Sequence, residues 1–286
     1  MLTDKKRLVI AIPASVISDT PHLREKTAKI GLIGRAAAIF RVDEIVVYRD
    51  NLKEKQTADL DLIATLLQYM ETPQYLRKRL FKIEPRLQYA GIIPPLRTPH
   101  HPSKRSAKDL RVGEYVEGMV LSSAKEGLQV DLGVEYPALL RDKQHAVGER
   151  LTVQVVQAGG HIEVQVSSRG DVPDYWGYVV TVERDSIRKV FERVKPDLSV
   201  GTSRKGEEFG NVSERLAEKR RTANSVLLVF GAPSRGLNEI ASDDNLKLSD
   251  VMDFVVNTIP CQGTETVRTE EAIFASLAVL NVLFKF

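Results

Sequence analysis

Apolar residues are spaced along the chain in two patterns. Some segments are continuous apolar runs, which are typical of buried strands, and others repeat apolar residues at the spacing of an amphipathic helix. The apolar runs at residues 7–14 and 43–48 predict two strands. Between them, a helix is predicted over residues 22–40, after a capping segment at residues 18–21 that ends in proline. Residues 57–71 repeat their apolar positions at helical spacing. Strand, helix, strand and helix in this order predict a parallel sheet covered by helices on both faces.

The pattern changes after Glu84, where a Pro-rich basic stretch begins. Residues 110–168 contain short alternating segments separated by turns, which predict a small antiparallel β-barrel. The alternation of helices and strands returns after Asp171. We therefore expect one α/β domain, formed by residues 1–108 and 170–286, with the barrel inserted at residues 109–169.

Two apolar runs near the C-terminus each lead into a glycine-bearing turn, at residues 225–236 and 253–272. A buried parallel strand that enters a ligand-binding loop has this pattern. Gly231, Gly236 and Gly263 permit positive φ angles and remove side chains, so that loop backbone can approach a ligand closely. The sequence thus predicts one pocket between two loops, although tight turns that only pack the strands would give the same pattern.

Composition places the chain among globular proteins, with 286 residues, 43% hydrophobic and 28% charged. It contains no apolar run of about 18 residues and no secretory signal pattern, so we expect a cytoplasmic protein without a membrane partner. Cys261 is the single cysteine, which excludes an internal disulfide and a multi-cysteine metal site. No metal is expected.

Positive charge is concentrated in one stretch, although the net charge is only +3. Residues 77–111 contain ten Lys or Arg residues and two acidic ones, together with His100 and His101. Such a cluster attracts polyanions through a long-range field that salt weakens. The stretch therefore predicts nucleic-acid binding, with a solvated linker as the alternative.

Gly31, Gly34 and Arg35 lie within the first predicted helix, where glycine is unfavourable by about 1 kcal/mol relative to alanine. A notch for helix packing beside a surface arginine is one explanation. The wider pattern suggests another, because it resembles the first motif of the SpoU branch of the SPOUT RNA methyltransferases. That motif is carried here by Gly31, Ile33, Arg35, Ala37, Phe40, Val42 and Asp43. Residues 228–237 look like the second motif of these enzymes, and Ile259, Pro260 and Gly263 with the following helix look like the third.

The resemblance implies an α/β fold whose parallel sheet contains a deep trefoil knot, and a bound S-adenosylmethionine held between the knot loops. It also implies a homodimer in which Arg35 of one chain approaches the cofactor of the other. The cofactor contacts that it implies are Gly231, Arg235, Gly236, Asn257, Thr258, Ile259, Gln262, Gly263 and Thr264.

The chain departs from the SpoU pattern at three places. Pro233 replaces an acidic residue, Lys29 replaces an asparagine, and residues 267–269 replace a Ser-Leu-Asn run. Since the Ser and Asn serve ribose methylation in that family, we expect methylation of a base rather than of a 2′-hydroxyl group. Arg35, Thr269 and Glu270 are the candidate catalytic residues. Acidic residues in a first helical turn, with Thr269 as N-cap, also have a purely structural explanation.

The predicted barrel resembles the OB-fold RNA-binding repeat of ribosomal proteins, so RNA, either rRNA or tRNA, is the expected partner. A barrel of this type binds single strands through basic and stacking side chains. The candidate RNA contacts are Lys78, Arg79, Lys104, Arg105, Lys108, Tyr115, Arg141 and Lys143. A second hypothesis is a non-catalytic RNA-binding assembly protein that keeps the knotted fold.

Overall fold

The computed structural model describes residues 6–102 and 106–284, which form two compact units. We call them the sheet unit (Met1–Met70, Pro85–Pro95 and Tyr178–Phe286) and the barrel unit (Glu71–Glu84 and Leu96–Gly177). The barrel unit is larger than the predicted segment 109–169, because it includes residues on both sides of that segment.

Within the described residues, the sheet unit contains six parallel strands in the order β11-β9-β10-β1-β2-β8. The predicted mixed α/β architecture with a parallel sheet is confirmed. Almost every side chain of the central strands is buried, which explains their continuous apolar runs. The strands are β1 (Arg7–Pro13), β2 (Glu44–Tyr48), β8 (Val179–Glu183), β9 (Leu198–Glu208), β10 (Ser225–Val229) and β11 (Phe254–Asn257).

Helices cover this sheet, and their bounds agree closely with the apolar periodicity. The helix predicted over residues 57–71 has those bounds. These α-helices are α1 (Leu23–Ile39), α2 (Thr57–Glu71), α4 (Ile187–Val194), α5 (Phe209–Thr222), α6 (Leu237–Asp243), α7 (Leu248–Val251) and α8 (Thr269–Phe284), whereas α3 (Gln74–Leu80) belongs to the barrel unit. None of these helices combines the length and apolar character needed to cross a bilayer.

The start of α1 differs from the prediction. His22 precedes the first turn and makes no side-chain capping bond. Instead of capping the helix, the Asp19 carboxylate accepts hydrogen bonds from the Lys29 ammonium at 2.7 and 2.9 Å. The acidic side chain thus binds a cation two turns into the helix rather than the free N–H groups at its start.

The barrel unit contains a closed barrel with the strand order β3-β4-β5-β7-β6. Four strand pairs are antiparallel as predicted, whereas β5 and β7, which complete the closure, are parallel. Its strands are β3 (Tyr115–Ser123), β4 (Leu128–Asp131), β5 (Ala138–Leu140), β6 (Arg150–Gln157) and β7 (Glu163–Val166).

A buried charged network explains why residues outside the predicted segment belong to the barrel unit. The Arg150 guanidinium donates to Glu71 at 2.7 Å and to Glu117 at 2.5 Å. Trp176 Nε1 donates to the second oxygen of Glu117 at 2.5 Å, and Arg169 pairs with Glu71. Since an unpaired buried charge is strongly destabilising, these side chains hold their segments against strands β3 and β6.

Candidate functional site

The parallel strands place their carboxyl ends at one edge of the sheet, which is where ligands bind in open α/β folds. A cavity of about 380 Å³ lies there, between the ends of β9, β10 and β11. We call the segments that follow β10 and β11 the β10 loop (residues 230–236) and the β11 loop (residues 258–268). Seven of the nine predicted cofactor residues line this cavity: Gly231, Arg235, Gly236, Asn257, Thr258, Ile259 and Gln262. Gly263 and Thr264 lie outside the lining.

The three glycines of the two loops are not equivalent. A Cβ atom on Gly231 would lie 3.2 Å from the Leu237 nitrogen and 3.3 Å from the Arg235 carbonyl oxygen, whereas at Gly236 or Gly263 it would meet open space. The prediction that these glycines supply positive φ is wrong, since none of them adopts it. Gly231 instead allows the two ends of the β10 loop to approach each other.

Arg235 fixes the β10 loop rather than presenting a free cation to the cavity. Its Nη1 donates to the Asp50 carbonyl oxygen at 2.9 Å, and its Nη2 pairs with Asp243. The Asp50 carboxylate, buried beyond the end of β2, accepts from the Ser15 backbone N–H and from Gln56 Nε2, each at 3.0 Å. The loop is therefore anchored to residues that follow β1 and β2.

The β11 loop is held by two amide side chains, that of Asn257 at the end of β11 and that of Gln262 within the loop. Asn257 Oδ1 accepts the Ile259 N–H at 3.0 Å. Gln262 Nε2 donates to the carbonyl oxygens of Thr264 and Glu265 at 2.8 and 3.1 Å. Asn257 and Gln262 were predicted as cofactor contacts, and both line the cavity while they also shape the loop.

Thr269 and Glu270, two of the predicted catalytic residues, face different neighbours at the start of α8. The Thr269 hydroxyl lines the cavity and donates to the Gly231 carbonyl oxygen at 3.1 Å. Glu270 does not line the cavity; it is buried, with Oε2 at 3.3 Å from the Lys29 ammonium of α1. The N-cap position is Arg268 rather than Thr269, and its N–H donates to the Glu271 carboxylate at 2.9 Å.

Arg35, the third predicted catalytic residue, does not line the cavity of its own chain. Its Nη1 donates to the Pro95 carbonyl oxygen at 3.1 Å. The neighbouring glycines serve packing: a Cβ on Gly31 would lie 3.1 Å from Pro94, and one on Gly34 would lie 2.6 Å from Met70. The packing explanation for this pair therefore holds.

The predicted RNA contacts of the barrel unit are partly engaged with other groups. Arg79 pairs with Asp131 at 2.8 Å, Arg141 donates to Glu163 at 3.1 Å, and Lys143 donates to the Lys125 carbonyl oxygen at 3.0 Å. Lys78 and Lys108 are exposed, and Tyr115 is half-buried. Lys104 and Arg105 lie outside the described residues.

The two histidines of the basic stretch do not belong to a charged surface. His100 is buried, and its Nε2 lies 3.1 Å from the Glu71 carbonyl oxygen. Burial, together with the neighbouring His100 ring, lowers the pKa of His101 to about 3, so that His101 is neutral near pH 7. The charge that this stretch offers to a polyanion comes from its lysines and arginines.

Sequence reasoning missed one wall of the cavity, which is formed by Thr202, Ser203, Arg204 and Lys205 of β9. The apolar run of this strand stops near Val200, and no motif marks the residues beyond it. Gly206 is the one residue here that could have indicated a close contact of this segment, because a Cβ there would lie 2.7 Å from the Val255 carbonyl oxygen. The glycine lets β11 pair closely with the extended part of β9.

Comparison with known proteins identifies the family of the chain. Residues 7–280 match the model of a family described as "Putative RNA methyltransferase". An uncharacterized protein of Halobacterium salinarum is 32% identical over 96% of this chain and 98% of its own length. The 28S rRNA (uridine-N(3))-methyltransferases of Homo sapiens and Mus musculus are 33% and 32% identical, over 96% of this chain and 77% and 76% of their own lengths. Since the family model spans nearly the whole sequence, the chain belongs to this family of RNA methyltransferases.

Proposed function

We propose that the protein transfers a methyl group from S-adenosylmethionine to a base nitrogen of RNA, with N3 of a uridine in rRNA as the first candidate. The observation that carries the proposal is the cavity at the carboxyl edge of the sheet, where the loops selected from sequence meet. The names of the mammalian relatives support the choice of base and atom.

The cavity has properties that fit the methyl donor. Its volume of about 380 Å³ lies within the range of small-molecule sites. Gly231 brings the two ends of the β10 loop together, and Gly236 leaves backbone exposed on one side, where an adenine or a ribose can approach closely. Asn257, Thr258 and Gln262 supply amide and hydroxyl groups on the other side. We assign these residues to the cofactor, and leave Gly263 and Thr264 as supports of the β11 loop.

The bound donor supplies an electrophilic methyl group on a sulfonium sulfur. In the proposed step, the acceptor nitrogen forms a bond to this carbon, the carbon–sulfur bond breaks with its electron pair on sulfur, and the N–H proton leaves to a base or to solvent. In-line positioning supplies most of the rate for such a displacement. A cation near the acceptor stabilises the negative charge that develops when the proton leaves.

Arg35 is the proposed source of that cation. Because it does not line the cavity of its own chain, it would act in the homodimer, where a partner subunit brings its first helix to the cavity. Glu270 is a poorer candidate for the base, since its carboxylate faces Lys29 away from the cavity. We therefore propose solvent, or a group on the RNA, as the proton acceptor.

The finer fold assignments are part of the same proposal. The five-stranded closed barrel supports an OB-fold that holds the RNA. The SPOUT class and a trefoil knot formed by the C-terminal loops are proposed from the three sequence motifs.

Nucleoside mass spectrometry tests the function. Ribosomal RNA from a strain that lacks the gene should lose one methylated base, and the purified protein with S-adenosylmethionine should restore it. Arg35→Ala should lower turnover at least tenfold while the cofactor Kd changes less than twofold; Arg24→Ala, an exposed arginine on the same helix, is the control.

A protein that binds RNA but neither binds the cofactor nor restores the base would instead be the non-catalytic assembly protein. Pro233, which lines the cavity where the related motif has an acidic residue, gives that alternative its basis.

A further inference from the structure

No step of the proposed reaction uses the wall of the cavity that β9 forms. Strand β10 pairs with β9 only as far as Gly201, so the following residues extend beside the cavity without a β10 neighbour. Two of them, Arg204 and Lys205, are consecutive cations, and both are exposed.

One side of Arg204 is fixed to the β11 loop. Its Nη1 donates to the Glu265 carbonyl oxygen at 2.7 Å, and its own carbonyl oxygen accepts from Asn257 Nδ2 at 3.2 Å. In the part of the chain that the structure describes, its other guanidinium nitrogens have no hydrogen-bond partner. The Lys205 ammonium likewise has neither a hydrogen bond nor an ion pair within residues 6–102 and 106–284.

Arg235, the other cation of the lining, is different because Asp243 neutralises it. Glu239 and Glu265 also line the cavity and would repel an anion at their own positions. An anion is therefore best accommodated beside β9, where Arg204 is already oriented by the β11 loop. Bonds between a charged donor and a charged acceptor are about twice as strong as neutral ones.

We propose that Arg204 and Lys205 form an anion subsite beside the cofactor cavity. The proposal rests on the proposed function, because the reaction brings two anions to this edge: the carboxylate of the methionine part of S-adenosylmethionine and a phosphate of the target RNA. Either anion would accept hydrogen bonds from those N–H groups of Arg204 and Lys205 that have no partner among the described residues.

The test uses Lys205→Met and Arg204→Gln, with Lys247→Met as the matched control. Lys247 is exposed and lines a neighbouring groove with Lys205, but it does not line the cofactor cavity. Isothermal titration calorimetry should measure Kd for S-adenosylmethionine and for 5′-methylthioadenosine, which lacks the carboxylate. Filter binding should measure Kd for the RNA.

If the subsite holds the carboxylate, both variants should weaken S-adenosylmethionine binding about tenfold and leave 5′-methylthioadenosine unchanged. If it holds a phosphate, RNA binding should weaken about tenfold while both small ligands bind normally. Unchanged binding of all three ligands would overturn the proposal, as would equal weakening of both small ligands, which indicates a distorted loop. A native protein that binds neither small ligand would instead reject the proposed function itself.

Discussion

At the scale of single residues, the cavity depends on what each loop side chain contacts rather than on its type alone. Gly231 and Gly263 received the same role from sequence, yet only Gly231 is crowded by loop backbone. Packed backbone does not yield easily, and forcing an extra carbon into such a site typically costs about 1–3 kcal/mol. Alanine substitutions at Gly231 and Gly263 therefore give a matched comparison of a crowded and an open position.

Gly231→Ala should weaken S-adenosylmethionine binding at least fivefold, because its Cβ pushes against the Leu237 nitrogen and displaces the β10 loop. Gly263→Ala should leave the Kd within twofold, since its Cβ enters open space. Calorimetric titration of both variants checks the prediction. Equal Kd values for the two variants would contradict the assigned role of Gly231.

At the scale of elements, α1 and α8 are joined by a buried ion pair that also connects to the cavity. Lys29 is 6% exposed and lies between Asp19 and Glu270. Glu270 follows Thr269, whose hydroxyl holds the Gly231 carbonyl oxygen. The first turn of α8 is therefore attached to α1 on one side and to the β10 loop on the other.

Lys29→Met should lower the free energy of unfolding by about 3–5 kcal/mol, because it leaves the Glu270 carboxylate buried without its cation. Lys26→Met is the control on the same helix. Its partner Asp59 is 3.7 Å away and more exposed, so less than about 1 kcal/mol should be lost. Urea titration measures both values. A loss at Lys29 no larger than at Lys26 would show that the buried pair does not stabilise the helix contact.

The barrel unit contains a buried electrostatic network centred on Glu71. Burial by itself would raise the pKa of this carboxyl group, but Arg150, His100 and Arg169 lower it to about 2 from its usual 4.5. A carboxyl group whose pKa is lower in the folded state stabilises the fold above its unfolded pKa. That contribution is lost as the pH falls from about 4.5 towards 2.

Glu71→Gln should therefore destabilise the barrel unit by a few kcal/mol at pH 7. It should also make the stability of this unit depend less on pH between pH 4.5 and 2. Trp176, the single tryptophan, donates to Glu117 in the same network, so its fluorescence reports on this unit. Denaturant titrations at several pH values provide the measurement. If native protein and variant lost stability in parallel below pH 4.5, the coupling to Glu71 would be rejected.

At the scale of the whole molecule, RNA affinity depends on where exposed positive charge lies. Two predicted contacts of the barrel unit, Arg79 and Arg141, are paired with acidic side chains, whereas Lys78 and Lys108 are exposed. Each phosphate that a protein neutralises contributes about −0.7 to the slope of log K against log salt for single strands.

Reversal of charge at Lys78 and Lys108 should weaken RNA binding and make this slope shallower by about 1.4. Lys195→Glu, at an exposed lysine of the sheet unit, controls for the effect of reversing a surface charge outside the barrel unit. Binding measured from low to physiological salt gives the slopes. An unchanged slope would remove Lys78 and Lys108 from the RNA-binding surface.

The pattern of apolar residues determined the elements of this protein and most of their bounds, because burial of a continuous run or a helical stripe is a local property. It also located the two loops of the cavity and the barrel. It could not assign partners: the segment at residues 18–21 was expected to cap α1, but its Asp19 carboxylate binds Lys29, and His100 was placed in the basic stretch but is buried.

Only the tertiary structure decided which loop residues share the cavity and which support it. Gly263 and Thr264 follow the same strand as Gln262 but lie outside the lining, and the wall formed by β9 comes from a segment at residues 202–205, well before the β10 loop in sequence. The physical reason is that the cavity forms where parallel strands, distant in sequence, end side by side. The direction of each side chain there depends on hydrogen bonds to residues that no local pattern identifies.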